Sequence, residues 1–388
     1  SYFEGYRCAA CGREVPAGTA AAECPACGGP LLAVYDFGLM LRSARDRLSL
    51  LAGTGPGIWR YANLLPAFAR QVSLGEGRTP LVELPRLGRS IGAAELFVKD
   101  ESANPTGSFK ARGMAAAVSR LVDLGIPRAY APSAGNAALA LAAYCAAARV
   151  GCHVFIPSEA PPGVAEECRL YGAEVAVVPG ILPDAARALD AFVGPDRAGV
   201  VSTMREPCRV EGKKTIFFEI EEEMAPDWIV LPTGGGTGAV AFRKAYEELG
   251  ALGLLRRPMP RLAIVQAEGC APLVEAWRAG LERAGPWRDP VTIASGLRVP
   301  ASRPDMLVLR AVRDTGGAAV AVGDGEIMDA VHELSRLGGL FVSPEGGAAY
   351  AGFKRLVRDG TIDSSSRVVV VNTAGGARYR FLLEPRGR

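Results

Sequence analysis

Short apolar runs and longer helical patterns alternate along most of the chain. Runs rich in β-branched residues predict strands, whereas apolar residues that recur every three or four positions predict helices. Strands are predicted at residues 95–98, 128–131, 152–156, 173–178, 199–202, 227–231, 261–266, 318–322, 340–342 and 367–371. Helices are predicted at residues 108–124, 137–149, 162–171, 183–192, 237–249, 271–283 and 326–337. Because such alternation is typical of parallel sheets covered by helices on both faces, the pattern predicts an α/β fold.

The composition and charge of the chain indicate a soluble globular protein and disfavour nucleic-acid-binding and membrane proteins. Of its 388 residues, 49% are apolar and 22% are charged, which is typical of a soluble globular protein with about two or three domains. The net charge of +3 is spread along the chain, so we expect neither a nucleic-acid partner nor a membrane partner. The longest apolar run, residues 137–148, is shorter than the roughly 18 residues that cross a bilayer. The first residues do not have the pattern of a signal peptide, and we therefore expect a cytoplasmic protein.

Two Cys-x-x-Cys pairs lie near the start of the chain. Cys8 and Cys11 form one pair, Cys24 and Cys27 form the other, and 12 residues separate the pairs. Each pair is followed by a glycine, which allows a tight turn that presents both sulfurs. Four sulfurs presented in this way predict a structural zinc site of the ribbon type. Two disulfides, or a ribbon without metal, are the alternatives.

Lys110 follows a turn-rich loop at the predicted start of a helix. The loop, residues 100–109, leads out of a predicted strand. Because the positive end of the helix dipole disfavours an ammonium group, we expect the Lys110 amine to have a lowered pKa. A neutral amine is what imine chemistry requires, and a solvated lysine at a helix start is the alternative.

Two further loops connect predicted strands to predicted helices. Residues 234–238 read Gly-Gly-Gly-Thr-Gly, and successive glycines let backbone N–H groups converge on a phosphate. A tight turn without a ligand is the alternative there. Residues 133–135 are small and leave room for a flat ligand, next to Asn136, which either caps the helix or bonds a substituent of that ligand.

Together, these loops resemble the motifs of the fold-type II pyridoxal-phosphate enzymes, the tryptophan synthase β-like class. The motifs are residues 104–110 (Asn-Pro-Thr-Gly-Ser-Phe-Lys), 133–136 (Ser-Ala-Gly-Asn) and 234–238, in this order. Residues 75–81 and 209–215 are similar to two more motifs of the family, and the cysteine pairs are similar to the zinc-ribbon head of some members. The resemblance implies two parallel-sheet α/β domains and a small N-terminal module. It places the module at residues 1–35, a larger cofactor-binding domain at 36–120 with 215–388, and a smaller domain at 121–214.

The resemblance also implies a role for each matching residue. Lys110 is expected to hold pyridoxal 5'-phosphate as an internal aldimine and to move protons at Cα, Cβ and Cγ of the substrate. Asn136 is expected to bond the 3-hydroxyl of the cofactor, and Thr373 to face its pyridine nitrogen. Further cofactor contacts are implied for Phe109 and for the phosphate cradle of Gly234, Gly235, Gly236, Thr237 and Gly238. Substrate contacts are implied for Thr79, Ser133, Ala134, Gly135, Ala137, Arg205 and Arg209.

Most narrowly, the motifs resemble those of members that convert O-phosphohomoserine and water to threonine and phosphate, by γ-elimination and then β-addition of water. This implies a phosphorylated amino-acid substrate and a homodimer. Ala111, Ala134, Ala137 and Ala374 depart from the pattern of many members, and these changes concern substrate more than cofactor. The alternative is therefore a β-replacing or dehydratase-like enzyme that acts on O-phosphoserine, serine or threonine. A binding protein without catalysis is disfavoured because Lys110 is retained.

Overall fold

The computed structural model describes residues 2–51, 53–93, 95–195 and 197–383. Within these ranges the chain forms twelve strands and twelve α-helices. The strands are β1 (Phe3–Cys8), β2 (Glu14–Pro16), β3 (Leu31–Tyr35), β4 (Leu81–Glu83), β5 (Glu95–Asp100), β6 (Arg128–Pro132), β7 (Gly151–Pro157), β8 (Glu174–Val178), β9 (Trp228–Pro232), β10 (Arg261–Ala267), β11 (Ala318–Val322) and β12 (Arg367–Asn372). The helices are α1 (Phe37–Ser43), α2 (Pro85–Ser90), α3 (Lys110–Asp123), α4 (Asn136–Ala148), α5 (Val164–Leu170), α6 (Leu182–Val193), α7 (Cys208–Glu223), α8 (Thr237–Ala251), α9 (Pro272–Arg278), α10 (Asp305–Asp314), α11 (Asp324–Gly338) and α12 (Pro344–Arg358). No described helix has the length and apolar character needed to cross a membrane.

The chain divides into two compact units. The first consists of Ser1–Arg78, Asn104–Glu219 and Ala241–Leu255, and the second of Thr79–Ala103, Ile220–Val240 and Arg256–Arg388. The sequence prediction assigned all of residues 36–120 to the larger domain. In the structure, residues 79–103 of that stretch belong to the second unit and the remainder to the first.

The first unit contains two three-stranded sheets. In the N-terminal sheet, β1 pairs antiparallel with both β2 and β3. In the other sheet, β7 lies between β6 and β8, and all three strands are parallel. The predicted strand at residues 199–202 is wrong, because there the chain makes a single bridge, Val200 to Tyr130. The extended segment is short because Met204 adopts a left-handed backbone conformation, with φ of 57°.

The second unit is built on one six-stranded sheet, in the order β11-β10-β9-β12-β5-β4. All neighbouring pairs are parallel except β4 with β5. Every residue of β9 and β11 is buried, as expected for strands covered on both faces. Helix α12 approaches this sheet closely at Gly352, since a Cβ there would lie 2.5 Å from Val265 Cγ2. The alternation of apolar runs and helical patterns therefore predicted the α/β fold correctly.

Several elements differ from the pattern-based prediction. Helix α7 was missed because all of its residues as far as Glu221 are buried, charged ones included, so it has no amphipathic period. Helix α12 was missed because it begins with Pro344 and two glycines, which resemble a turn. It starts there because Pro suits the first helical position and the Ser343 hydroxyl accepts a bond from the Gly346 N–H. The predicted strand at 340–342 is wrong, since only Val342 forms a bridge, to Gly375.

Candidate active site and candidate metal centre

The four N-terminal cysteines come together as predicted. All four sulfurs lie within 4.8 Å of one another, with 3.5 Å between those of Cys8 and Cys27 and 3.7 Å between those of Cys11 and Cys24. A tetrahedral zinc ion with Zn–S bonds of about 2.3 Å needs sulfurs about 3.8 Å apart. All four cysteines are free thiols, which contradicts the alternative of two disulfides. The cluster therefore fits a tetrahedral zinc ion.

The N-terminal sheet contacts helices α3, α7 and α8 of its own unit. The Tyr35 hydroxyl donates to Glu211 Oε2 at 2.6 Å, and the Tyr6 hydroxyl lies 3.5 Å from Cys208 Sγ. Arg120 donates to two carbonyls of the segment between the cysteine pairs, those of Thr19 and Ala21. The Lys244 amine lies over the Tyr35 ring, 5.2 Å from its centroid. These contacts fix the cysteine-bearing segment to the helix that carries Arg209.

Lys110 opens α3 after a tight turn. Thr106 and Gly107 both have positive φ, 61° and 66°, and the Gly107 N–H donates to the Asn104 carbonyl at 2.9 Å. A positive φ is unfavourable for Thr106, so strain is concentrated just before the lysine. The Lys110 side chain is half-buried, and its Nζ lies 4.8 Å from the centroid of the Phe109 ring.

Two buried cations of α7 lie near Lys110. The Lys213 Nζ is 5.3 Å from the centroid of the same Phe109 ring, and Lys213 and Arg209 are only 1% and 3% exposed. The Arg209 Nη1 donates to the Val201 carbonyl at 3.5 Å, and its Nε has no hydrogen-bond partner among the described residues. Neither cation forms an ion pair with any carboxylate in the described part of the chain. This cluster therefore carries buried positive charge that the protein itself leaves without an ion pair.

Burial and mutual repulsion change the acidity of these cations. Burial lowers the pKa of Lys213 well below its usual value, and the positive charges of Arg209 and Lys110 lower it further. Burial also lowers the pKa of Arg209, to about 10. The negative charge of Glu206 opposes these shifts, but Glu206 forms its ion pair with Arg120, at 3.6 Å, and accepts from the Arg209 backbone N–H at 2.8 Å.

The loop before α4 is held by Ser133. Its hydroxyl accepts from the N–H groups of Gly135, at 3.2 Å, and Ala138, at 3.1 Å. Ser133 therefore caps the N-terminus of α4, a role that was one of the two interpretations of Asn136 in the sequence. Ala134, Gly135, Asn136 and Ala137 are half-buried and stand at the start of the helix.

In the second unit, the glycine loop joins β9 to α8 as predicted. A Cβ on Gly234 would collide with the Gly296 carbonyl, and a Cβ on Gly236 would lie 2.5 Å from Val308 Cγ2. Gly236 also has a φ of 81°, which side chains rarely adopt. Thr237, 6% exposed, begins α8, so the backbone N–H groups of the loop lie at the N-terminus of a 15-residue helix. This backbone arrangement suits an anion.

Thr373 directly follows β12, at the carboxyl end of the parallel strands. It is 4% exposed, and its neighbour Asn372 donates from Nδ2 to Asp100 at 2.8 Å, which ties the end of β12 to the end of β5. Ligand sites of parallel sheets form at this end of the strands. The Thr373 hydroxyl therefore lies at the end of the sheet where ligands of parallel α/β folds usually bind.

The second unit also contains a buried carboxylate that the sequence analysis missed. Glu345, 5% exposed, accepts from the Gly296 N–H at 2.7 Å and from the Tyr379 hydroxyl at 2.9 Å. Its Oε2 has no hydrogen-bond partner among the described residues. The glutamate is two positions into α12, the helix that the pattern did not predict, so no signal in the sequence marked it.

Two predicted substrate residues have partners within the protein. The Thr79 hydroxyl donates to Glu101 Oε1 at 2.6 Å. Arg205 forms ion pairs with Asp190 at 2.9 Å and Glu23 at 3.6 Å. Its charge is therefore already neutralised, unlike that of Arg209.

The similarity of this chain to known proteins defines its class. The sequence pattern of the family described as pyridoxal-phosphate dependent enzyme matches residues 72–374. Maize serine racemase superimposes with a TM-score of 0.67 at 22% identity, covering 79% of this chain and 92% of that one. Processed threonine deaminase isoform 2 of Solanum lycopersicum gives 0.68 at 18% identity, covering 79% and 81%. The chain belongs to the pyridoxal-phosphate dependent enzyme family and has the fold-type II architecture, which confirms the predicted fold.

Within that family, relatives named threonine synthase match between 79% and 96% of the chain. That of Methanosarcina acetivorans is 34% identical over 371 residues, covering 95% of this chain and 90% of its own. That of Methanocaldococcus jannaschii is 35% identical over 382 residues, covering 96% and 92%. The relative of Mycobacterium tuberculosis strain H37Rv is 33% identical over 310 residues, covering 79% and 83%.

Proposed function

We propose that this protein is a pyridoxal-phosphate-dependent lyase that converts O-phosphohomoserine and water to threonine and phosphate. The observation that carries the proposal is the match to threonine synthases over at least 90% of both chains. The buried basic side chains of Arg209 and Lys213 support a phosphorylated substrate, because a bound anion would compensate the cost of holding positive charge in this buried site.

The residues at the predicted cofactor positions fit pyridoxal phosphate. Lys110, a half-buried amine with Phe109 beside it, would hold the cofactor aldehyde. The loop of residues 234–238 receives the phosphate, since its glycines leave backbone N–H groups accessible at the start of α8. Asn136 would bond the 3-hydroxyl of the cofactor, and Thr373 would contact its pyridine nitrogen.

The bound cofactor supplies an aldehyde for the imine and a ring that delocalises negative charge. With the cofactor and substrate bound, the Lys110 amine would take the proton from Cα of the substrate and then move a proton at Cβ. The Thr373 hydroxyl, unlike a carboxylate, does not hold the ring nitrogen protonated, which moderates the electron demand of the ring.

The substrate is held at its two charged ends by residues of the first unit. The backbone N–H groups of residues 134–137, at the start of α4, bind the carboxylate, and Ser133 holds that loop in shape. Arg209 binds the phosphate, because an unpaired guanidinium matches phosphate geometry. Arg205 is the weaker candidate, because Asp190 and Glu23 already neutralise it. Thr79 acts indirectly, through its bond to Glu101.

Cys8, Cys11, Cys24 and Cys27 hold a structural zinc ion in this proposal. A closed four-sulfur site has no open position for substrate, so it contributes stability and no chemistry. Metal analysis of the purified protein, with one zinc per chain expected, tests this part. A homodimer in the cytoplasm completes the proposal, and light scattering of the purified protein tests the oligomeric state.

The deciding experiment combines cofactor trapping with product analysis. Borohydride treatment of the purified protein should attach the cofactor to the peptide that contains Lys110, as read by mass spectrometry. Incubation with O-phosphohomoserine should then release threonine and phosphate in equal amounts. If no threonine forms from O-phosphohomoserine but the protein converts O-phosphoserine or serine, the β-replacing alternative is supported. An unlabelled Lys110 would refute the cofactor assignment itself.

A further inference from the structure

Lys213 has the surroundings of an amine that is neutral until an anion arrives. Lys213 is 1% exposed, and no described carboxylate forms an ion pair with it. Its amine and that of Lys110 both lie over the ring of Phe109. The charged groups that act on it are Arg209 on its own helix, Lys110 on α3 and Glu206 before α7, and two of these three are cationic. A buried ammonium in such surroundings is unfavourable, whereas a neutral amine is tolerated.

Two neighbouring cations on α7, Lys214 and Arg209, differ from Lys213 in this respect. Lys214, the next residue, is also fully buried, but it forms ion pairs with Glu211 at 2.5 Å and with Glu248 at 2.7 Å. Arg209 keeps its charge near neutral pH, because its pKa is lowered only to about 10. Arg209 can therefore hold a phosphate but cannot release a proton to it, and among these residues Lys213 can do both.

We propose that Lys213 takes up a proton when the phosphate group of the substrate binds beside it, and gives up that proton to the phosphate as it departs. The inference rests on the proposed function, since it takes the substrate to be a phosphate monoester. A monoester dianion whose carbon–oxygen bond breaks keeps the electron pair on oxygen and would leave as a trianion. One proton converts the trianion to hydrogen phosphate. Lys213 supplies that proton and returns to the neutral amine, so atoms and charge balance.

Sulfate is the probe for the binding half of this proposal, because it is a dianion that does not titrate near neutral pH. The cofactor-loaded protein is used, so that the glycine loop is already filled. Calorimetric titration with sodium sulfate, in two buffers of different ionisation enthalpy at the same pH, counts the protons taken up. We expect uptake of about one proton per sulfate, because binding converts the neutral amine of Lys213 to an ammonium.

Two substitutions of Lys213 and one matched control separate charge from proton transfer. Lys213→Met should bind sulfate at least about tenfold more weakly and take up no proton. Lys213→Arg keeps a permanent charge, so it should bind sulfate without proton uptake. Lys354→Met removes a lysine of the second unit that is paired with Glu333, and it should behave as wild type. Circular dichroism and thermal melts identify any variant that fails to fold, and in that event the proton count of the wild-type protein decides.

Turnover tests the second half of the proposal. With O-phosphohomoserine, Lys213→Arg should keep a KM near that of wild type but lose at least about tenfold in kcat, because an arginine cannot give up its proton. Sulfate binding by wild type without proton uptake, or equal sulfate affinity in wild type and Lys213→Met, would overturn the proposal. Sulfate binding does not require turnover. A protein that takes up a proton with sulfate but makes no threonine would therefore contradict the proposed function and leave the role of Lys213 standing.

Discussion

Replacing Gly236 by alanine tests whether the glycine loop is a phosphate cradle. At this position the backbone has a φ of 81°, and the new Cβ would lie 2.5 Å from Val308 Cγ2. A left-handed conformation costs a non-glycine residue about 1–2 kcal/mol, and overpacking costs about 1–3 kcal/mol more. The loop must shift to relieve the contact, and each hydrogen bond to a charged phosphate is worth about 1.5–3 kcal/mol. We therefore expect Gly236→Ala to weaken cofactor affinity by roughly 10- to 100-fold.

Gly125 provides a matched control for the backbone strain. It also has a positive φ, 66°, but nothing lies within 4 Å of the position that its Cβ would occupy. Gly125→Ala should destabilise the protein by about 1 kcal/mol and leave cofactor affinity unchanged. Cofactor affinity is measured by titrating cofactor-free protein with pyridoxal phosphate and following the visible absorbance band, and stability by urea unfolding. If Gly236→Ala binds the cofactor as tightly as Gly125→Ala does, the loop is a structural turn and not the cradle.

Three further predictions concern the buried charges and the metal site. Glu219→Gln should cost about 3–5 kcal/mol of stability in urea unfolding, because it removes the buried carboxylate that pairs at 2.7 Å with the fully buried Arg112; a cost below about 1 kcal/mol would contradict this account. Cys24→Ser should reduce zinc content and make the N-terminal segment accessible to limited proteolysis, whereas the exchange of buried Cys270 for serine should leave zinc content unchanged. Burial lowers the pKa of His153, so the unfolded chain binds a proton first as pH falls below about 6.5, and stability is lost in that range. His153→Gln should flatten this part of the pH–stability curve, and an unchanged slope would refute the assignment.

The sequence predicted those parts of the fold in which local pattern and tertiary environment agree. Strands β9 and β12 are continuous apolar runs because both faces of their sheet are covered, and the glycine loop follows β9 with its helix directly behind it. The cysteine pairs were located by their spacing, and the role of Lys110 was inferred from the resemblance of its loop to a family motif, so that role stays a prediction. Each of these signals is contained within a stretch of 20 residues or fewer.

The features that the sequence did not predict depend on packing between distant segments. Helix α7 buries its charged residues, and their partners include Tyr35 of β3, which binds Glu211, and Glu248 of α8, which pairs with Lys214. Arg205 and Arg209 are equivalent in the sequence, yet one is neutralised by Asp190 and the other is unpaired. Only the fold distinguishes them, because ion pairing is decided by residues far away along the chain.

Helix α7 presents Cys208 and Glu211 to the cysteine-bearing sheet, and it also bears Arg209 and Lys213. Residues that contact the N-terminal sheet and residues of the proposed phosphate site thus alternate within six positions of one helix, residues 208–213. A chain shortened to begin after Tyr35 would expose the carboxylate of Glu211 and the thiol of Cys208 to water. We expect such a truncation to shift Arg209 and Lys213, although neither residue is removed. The N-terminal segment is therefore expected to be needed for the position of these two side chains.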